Sequence, residues 1–344
     1  MEILLPIANI SVNPFEIVII GFWVGILSGM LGIGGGIVVN PILIKLGVPS
    51  VVVVGTSISQ MIGASLSGFL TYLRSKLVDI KMGLFIVGFG TIGGITGIFI
   101  INYFKHLGNV RQFVLSVYVV YLLLLGIFIL LETIKNKGKE DKKGKIKKFC
   151  ERLPLKTEFK VGERSIIIPA FIGILSGLLS AIMGIGGGNL VIPALMYLAG
   201  YSIQMAVAVS VFQMIFIASF LAFLHSLFNH GVDIVLGILL LIGSSFGAVF
   251  GALLGQKMKR DYLKLILVFL MITVAIYSLF QLLERKREVY NPILPDNILS
   301  HLLVEYPYIY SSLVVILSLV MGFIISSFAF RLRTFLLAVF SKGD

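Results

Sequence analysis

Apolar runs of about twenty or more residues recur from Phe15 almost to the C-terminus, and they constrain the fold more than any other feature. Each run is long enough to cross a bilayer core of about 30 Å as a helix. The composition agrees, since 58% of the residues are hydrophobic and only 13% are charged, whereas about a quarter are charged in soluble domains. The runs are continuous, without the alternation of a transmembrane β-barrel. The sequence therefore predicts an all-α polytopic membrane protein.

The net charge of +12 does not indicate a nucleic-acid partner, because the basic residues lie between the apolar runs. The preference for positive loops on the cytoplasmic side accounts for them. The single cysteine, Cys150, excludes a cysteine metal cluster, and the four histidines have no metal-ligand spacing. We predict no metal and no cofactor, and no motif for ATP binding is present. The N-terminus lacks the features of a signal peptide, so we expect the first span to remain in the mature chain.

Nine hydrophobic segments follow from the apolar runs and the breakers between them. Their approximate bounds are 15–47, 50–73, 80–104, 111–134, 165–199, 202–228, 232–257, 261–283 and 307–330. A polar stretch with twelve Lys/Arg and five Asp/Glu separates the fourth from the fifth. The predicted parts are a first transmembrane repeat (1–134), a charged cytoplasmic linker (135–164), a second transmembrane repeat (165–283), and a loop, an extra span and a basic tail (284–344).

The two halves carry the same motifs in the same order, which indicates an internal duplication. Gly25–Gly29 and Gly173–Gly177 both read GILSG, and Gly32–Gly36 and Gly184–Gly188 both read GIGGG. Further pairs are Pro41 with Pro193, SISQM (57–61) with SVFQM (210–214), Val78–Ile80 with Val232–Ile234, and Gly93 and Gly97 with Gly247 and Gly251. Internal repeats of this kind are common in secondary transporters.

The loop charges favour inverted repeats over parallel ones. If the two glycine-rich segments turn back within the membrane, 22 Lys/Arg fall on one side and six on the other; if they cross, the numbers are 18 and 10. The positive-inside rule prefers the first arrangement. Each repeat then has one Gly-broken helix and three spanning helices.

The glycine triplets within the first and fifth segments predict a break in each helix, because a glycine costs about 1 kcal/mol in a helix interior. A break in the membrane is tolerated only where it is buried in protein or lines a watery cavity. The new half-helix presents unpaired N–H groups there, and glycine has no Cβ to keep an oxyanion away. We expect a midplane anion site formed by Gly34, Gly35, Gly36, Gly186, Gly187 and Gly188. A dinucleotide-binding loop is excluded, because no strand–turn–helix unit surrounds the triplets.

Spaced glycines have a different interpretation, which is close helix packing. It fits the pairs Gly25/Gly29, Gly93/Gly97 and Gly247/Gly251.

Polar side chains within the spans are the remaining candidates for contacts with a bound anion. They are Asn40, Ser57, Gln60, Asn189, Ser210 and Gln213. Hydrogen bonding between helices is the alternative role for all six. Asp79 and Asp233 lie near segment ends, where helix capping is favoured over a part in ion coupling; they are the coupling candidates if H⁺ or Na⁺ drives transport.

The duplicated pattern G-x-x-S-G, then G-x-G-G-G-x(4)-P, resembles the TauE/SafE family of sulfite exporters and related permeases. The stretch LGVPSVVVVGTS (46–57) and the Val-Asp-Ile before the third segment of each half add to the resemblance, which covers about residues 15–283. It implies a carrier, driven by an ion gradient, for anions such as sulfite, sulfoacetate or other organosulfonates. A four-residue insertion before the second triplet, the charged linker and the extra C-terminal span depart from the pattern.

We therefore expect a multi-pass protein of the cell membrane that moves a small anion by alternating access around the midplane site. The sequence leaves open the same carrier fold with an unrelated anion, a passive anion channel, and the oligomeric state. A membrane enzyme is a weaker alternative, since His225 and His230 are the only nearby groups for acid–base chemistry.

Overall fold

A computed structural model of the chain describes residues 2–135, 152–284 and 297–340. Cys150 and most of the predicted linker lie outside these residues. The helices in the described ranges are α1 (Pro14–Leu31), α2 (Gly36–Lys45), α3 (Ser50–Arg74), α4 (Ile80–His106), α5 (Val110–Lys135), α6 (Ile167–Met183), α7 (Gly188–Ala194), α8 (Ile203–Asn229), α9 (Ile234–Lys257), α10 (Arg260–Leu283), α11 (Ile298–Glu305) and α12 (Pro307–Phe340). A π-helical turn, Leu195–Ala199, follows α7.

Eight of these helices are long and apolar enough to cross a membrane, which confirms a polytopic membrane protein. They are α1, α3, α4, α5, α8, α9, α10 and α12. α2, α6 and α7 with its π-helical turn are shorter apolar helices. α3 and α8 form the centre, because 94% and 72% of their most apolar stretches are buried.

Three small elements were not predicted from the sequence. A hairpin of β1 (Ile3–Leu4) and β2 (Ser11–Val12) precedes α1. A second hairpin, of β3 (Lys156–Phe159) and β4 (Gly162–Ser165), precedes α6. Helix α11 begins at a capping box in which Asn297 and Ser300 bond each other's backbone. Each of the two hairpins thus lies directly before the broken helix of its half in the chain.

Both glycine-rich segments are broken as predicted. α1 ends where Gly32 takes a left-handed backbone conformation with φ of 65°, and α2 begins at Gly36. α6 ends in the same way at Gly184, with φ of 68°, and α7 begins at Gly188. Glycine adopts this conformation without the steric penalty of a Cβ.

The spaced glycines pack helices at backbone distance, as predicted. A Cβ on Gly25 of α1 would lie 2.3 Å from the carbonyl oxygen of Ser244 in α9. From the other side, a Cβ on Gly247 would lie 2.1 Å from the carbonyl oxygen of Phe22. α4 packs on α6 in the same way, since a Cβ on Gly93 would lie 1.9 Å from the carbonyl oxygen of Ile174. The first helix of each half thus packs on the helix of the third hydrophobic segment in the other half.

The order of these contacts gives the directions of the helices in the first half. α1 runs parallel to α9, because Gly21 lies against Leu240 and Gly29 lies against Ala248. α3 is also parallel to α9, because Gly55 lies against Val232 and Gly63 against Leu241. Since α1 and α3 point the same way, the chain reverses between them.

The helices of the second half have the same relative directions as those of the first half. α6 is parallel to α4, because Gly173 lies against Ile86 and Leu178 lies against Gly97. α8 is parallel to α4 as well, since Gly83 lies against Phe212 and Gly94 against Leu221. The chain therefore also reverses between α6 and α8.

Replacing Gly93 by alanine tests the backbone packing of α4 on α6. We expect Gly93→Ala to lower the free energy of unfolding by about 1–3 kcal/mol, because the added methyl group overpacks the contact. Gly88→Ala is the matched control on the same helix, since no atom lies within 4 Å of its added Cβ. Thermal unfolding of the purified protein in detergent measures both. Equal melting temperatures for the two variants would contradict the packing.

Candidate functional site

The two glycine turns, Gly32–Gly36 and Gly184–Gly188, lie against each other. A Cβ on Gly36 would be 2.0 Å from the carbonyl oxygen of Gly184, and a Cβ on Gly188 would be 2.1 Å from the carbonyl oxygen of Gly32. Side chains other than hydrogen cannot fit at these two positions without moving the opposite turn. The structure thus brings together the two triplets that the sequence places 152 residues apart.

Two methionine sulfurs flank the place where the turns meet. The Sδ atoms of Met61 and Met214 lie 2.8 Å and 2.7 Å from a Cβ built on Gly186, and at 3.0 Å and 2.9 Å from one built on Gly34. Met61 is near the middle of α3, and Met214 is near the middle of α8. The turns therefore lie at mid-height of the two central helices. Neither methionine was predicted as a site residue, although the two end the matched motifs SISQM and SVFQM.

Asn40 joins the two halves, and its amide is fully used. Its Nδ2 donates to the carbonyl oxygen of Met183 at 2.6 Å and to the Tyr118 hydroxyl at 2.9 Å. Its Oδ1 accepts a hydrogen bond from the Ser57 hydroxyl. These contacts attach α2 and α3 to the carboxyl end of α6. The alternative role that the sequence left open, hydrogen bonding between helices, is the one that Asn40 and Ser57 have in this structure.

Tyr118 of α5 completes this attachment and was not predicted. Its hydroxyl lies 2.8 Å from the carbonyl oxygen of Met183 and 3.1 Å from that of Gly36. It therefore lies within hydrogen-bonding distance of carbonyl groups from both glycine-broken segments. The only signal in the sequence is a tyrosine within an apolar segment, where a buried hydroxyl needs a partner.

Ser210, which matches Ser57 in the repeat, makes a contact from the second half to the first. Its hydroxyl donates to the carbonyl oxygen of Gly32 at 2.8 Å, at the end of α1. Like the Asn40 contacts, this bond runs from one half to the broken helix of the other. Ser210 therefore also holds the turns together in this structure.

Three buried amides differ, because they have free hydrogen-bonding atoms. Within the described residues, neither amide atom of Gln60 or Asn189 has a partner. Gln213 donates to the carbonyl oxygen of Gly186 at 3.2 Å, but its Oε1 is also without a partner. All three side chains are at most 1% exposed. Leaving such a group unpaired in a protein interior costs about 1–3 kcal/mol, so these amides are candidates for ligand contacts.

The glycine turns contribute free donors as well. Over the ranges that the structure covers, no hydrogen bond involves the N–H groups of Gly34, Gly35, Gly36, Gly186 or Gly187. The Gln60 amide points at one turn, since its Nε2 lies 3.2 Å from a Cβ built on Gly35. Unpaired backbone N–H groups at a break form an anion-binding concavity. Neutral donors and acceptors thus gather at the meeting point of the turns.

Tyr72 and His225 hold the last turn of each broken helix at matching positions. The Tyr72 hydroxyl lies 3.4 Å from the carbonyl oxygen of Gly29, and His225 Nε2 lies 2.9 Å from that of Ala181. His225 Nδ1 faces the Asn229 amide nitrogen at 3.2 Å. Because the Ala181 carbonyl oxygen can only accept, His225 Nε2 carries a proton and donates to it. This gives His225 a positioning role.

Asp79 and Asp233 cap α4 and α9, as the capping interpretation predicts. Asp79 Oδ1 accepts from the Met82 N–H at 3.0 Å, and Asp233 Oδ1 accepts from the Leu236 N–H at 3.1 Å. The second oxygen of each bonds the hairpin of the opposite half. Asp79 Oδ2 accepts from the Lys160 N–H at 2.7 Å; Asp233 Oδ2 accepts from the N–H groups of Ile7 and Ala8 at 2.8 Å and 3.1 Å.

Burial and hydrogen bonding have opposing effects on the protonation of Asp233. Burial raises the pKa of Asp233, while the hydrogen bonds from Leu236, Ile7, Ala8 and Val235 lower it. Tyr201 donates to Asp79 Oδ2 at 2.6 Å. Burial and this hydrogen bond raise the pKa of the Tyr201 hydroxyl, so that tyrosine remains a donor.

The model of the sulfite exporter TauE/SafE family matches residues 17–278, which is most of the chain. The chain belongs to the TauE/SafE family. This family consists of membrane transporters, not enzymes.

Proteins similar to this TauE/SafE protein are described as probable membrane transporters or as members of the same family. It is 29% identical to the probable membrane transporter protein YunE of Bacillus subtilis, over 77% of this chain and 97% of the relative. It is also 29% identical to a probable membrane transporter protein of Methanocaldococcus jannaschii, over 76% and 94% of the two chains. A sulfite exporter TauE/SafE family protein of Arabidopsis thaliana is 34% identical, but over only 22% of this chain. No solved structure matches significantly.

Matched substitutions at Asn40 and Asn189 test the different roles of the two amides in this transporter. We expect Asn40→Leu to lower the free energy of unfolding by about 1–2 kcal/mol, because the Ser57 hydroxyl and the Met183 carbonyl lose a partner. Asn189→Leu removes no hydrogen bond and is expected to leave stability unchanged or to raise it. Thermal unfolding in detergent measures both, and an equal loss of stability in the two variants would contradict the distinction.

Proposed function

We propose that this TauE/SafE protein is a secondary-active carrier of a small anion, most specifically sulfite or an organosulfonate. The observation that carries the proposal is the set of unpaired neutral donors where the two glycine turns meet. The N–H groups of Gly34 to Gly36 and of Gly186 and Gly187, with the Gln60 and Asn189 amides, are the groups that would bind an oxyanion. The name of the family and the description of its relatives agree with transport of this kind.

We further propose that residues 1–134 and 165–283 are inverted repeats and that each Gly-broken segment is re-entrant. The helix directions support this: α1 and α3 are parallel, α6 and α8 are parallel, and the chain reverses at both triplets. α3 and α8 are antiparallel, because Gly55 lies against Gly231 just after the end of α8, whereas Gly68 lies against Val211 in the first half of α8. Repeats with broken helices that meet at the membrane midplane are typical of alternating-access carriers.

In this proposal the site residues fall into two groups. Gln60, Asn189 and Gln213 contact the cargo together with the glycine N–H groups of both triplets, including Gly188. Asn40, Ser57 and Ser210 position the turns, since their polar atoms bond to the opposite half. All six side chains are almost completely buried, so the cargo enters only after one side of the turns has opened.

The membrane context follows from the loop charges. The protein lies in the cell membrane, and the charged linker (135–164), which is largely outside the described residues, is cytoplasmic by the positive-inside rule. The hairpin of β3 and β4 and its bond to Asp79 are then on the cytoplasmic side, and the bond between Asp233 and the first hairpin is on the other. An H⁺ or Na⁺ gradient is the proposed energy source. Asp79 and Asp233 take part in coupling only if they release their capping contacts.

A counterflow screen in proteoliposomes tests the carrier. We expect the protein, loaded with sulfite inside, to accumulate labelled sulfite or a labelled organosulfonate from outside, because alternating access exchanges one anion for another. Sulfate, thiosulfate and simple carboxylates complete the screen and cover the alternative of an unrelated anion. Conductive flux without counterflow would identify a passive channel and contradict the carrier.

Glycine substitutions connect transport to the turns. We expect Gly35→Leu and Gly187→Leu to lower the rate of counterflow at least about tenfold, because their side chains would occupy the space beside the free N–H groups. A Cβ added to Gly35 would lie within 2.8 Å of the Val24 side chain, and a Cβ added to Gly187 would lie within 2.8 Å of the Ser176 side chain. Gly88→Leu is the control, since it adds the same side chain on an exposed part of α4. Unchanged transport in both turn variants that fold would contradict the site.

A further inference from the structure

The buried amides offer acceptors as well as donors, and this limits the cargo further. Gln60 Oε1, Asn189 Oδ1 and Gln213 Oε1 are all without a hydrogen-bond donor among the described residues. An amide always presents one acceptor oxygen, whichever way it is turned. A fully deprotonated oxyanion has only acceptor atoms, so it would satisfy the free N–H groups but leave these three oxygens unpaired.

The groups around the turns are also neutral. They are glycine N–H groups, the amides of Gln60, Asn189 and Gln213, serine hydroxyls and the thioethers of Met61 and Met214. The free-energy cost of moving an ion from water into such an interior grows with the square of its charge. A dianion therefore costs about four times as much to desolvate as a monoanion of the same size, and neutral amides do not compensate this difference.

We propose that the cargo binds as a singly charged anion that still carries an O–H or N–H group, which donates to one of the free amide oxygens of Gln60, Asn189 and Gln213. This inference rests on the proposed function and adds the protonation state. Sulfite would bind as hydrogen sulfite, and an organosulfonate would bind best when it bears a hydroxyl group. Each transported hydrogen sulfite would carry its own proton, which it releases to water on the side where it dissociates.

Two comparisons of uptake into proteoliposomes test this, with the same pH inside and outside. In the first, total sulfite is held constant while the pH is raised through the second dissociation of sulfurous acid. We expect the rate to follow the hydrogen sulfite fraction and to fall about tenfold for each pH unit above that pKa. The charge of 2-hydroxyethanesulfonate does not change over this range, so its uptake controls for effects of pH on the protein.

The second comparison tests the donor at constant charge. We expect 2-hydroxyethanesulfonate to compete with hydrogen sulfite at least about tenfold better than ethanesulfonate, which lacks the hydroxyl group. Gln60→Met is expected to reduce this preference while it preserves or raises thermal stability, because no partner of Gln60 is lost. Gln112→Met removes an amide whose Oε1 is also unpaired, in the first turn of α5, and is expected to change neither.

The outcomes distinguish this inference from the carrier itself. A sulfite rate that rises with pH, strong competition by sulfate, or equal competition by the two sulfonates would overturn the inference and leave the anion carrier in place. Absence of uptake for every anion at every pH would overturn both.

Discussion

The contact between the two glycine turns determines the rest of this structure. Each turn places a carbonyl oxygen where a Cβ of the opposite turn would otherwise stand, so Gly36 and Gly188 cannot carry a side chain without moving the turns. α1 and α6 end at these turns, and the chain reverses after each of them. Such a break leaves backbone groups unpaired inside a membrane protein, and these groups need partners or a ligand. Asn40, Tyr118 and Ser210 provide partners for some of the carbonyl groups. The N–H groups of the triplets have none within the described residues, and this difference makes the turns a candidate anion site.

Contacts between the two halves recur in the packing of the helices and in the helix caps outside the spans. α1 packs on α9 and α4 packs on α6, so the first helix of each half contacts the helix of the third hydrophobic segment in the other. Asp79 and Asp233 repeat the pattern outside the spans, because each caps a helix of its own half and bonds the hairpin of the opposite half. A movement of one half relative to the other would therefore change contacts at the turns and the hairpin bonds of both aspartates. This coupling is what an alternating-access carrier requires.

The sequence predicted the features that depend on local chemistry. The triplets predicted the breaks because consecutive glycines cannot stabilise a helix, and the spacing of Gly93 and Gly97 predicted close packing because small residues then share one helix face. Asp79 and Asp233 were predicted as caps from their positions before apolar segments. The family was identified from duplicated motifs. Each of these predictions uses only residues that are neighbours in the sequence or the repetition of a motif along the chain.

Features that depend on contacts between distant residues were not predictable in this way. Asn40 and Asn189 both lie within about one helical turn after their triplets, yet Asn40 is fully bonded to groups that include Tyr118 and Ser57, whereas Asn189 has free amide atoms. The tyrosine is 78 residues from Asn40, so no local pattern indicates the bond. The two hairpins are short, and bonds to a distant aspartate stabilise each of them.

Accessibility of single cysteines in intact cells or oriented vesicles tests most directly whether the broken helices turn back. In a background with Cys150→Ser, an impermeant maleimide would be applied to Glu2→Cys before α1, Leu46→Cys after α2 and Ser75→Cys after α3, all at exposed positions. A reversal at the first glycine turn predicts that Glu2→Cys and Leu46→Cys react from the same side and Ser75→Cys from the opposite side. Reaction of Glu2→Cys and Ser75→Cys from one side, with Leu46→Cys on the other, would contradict the account.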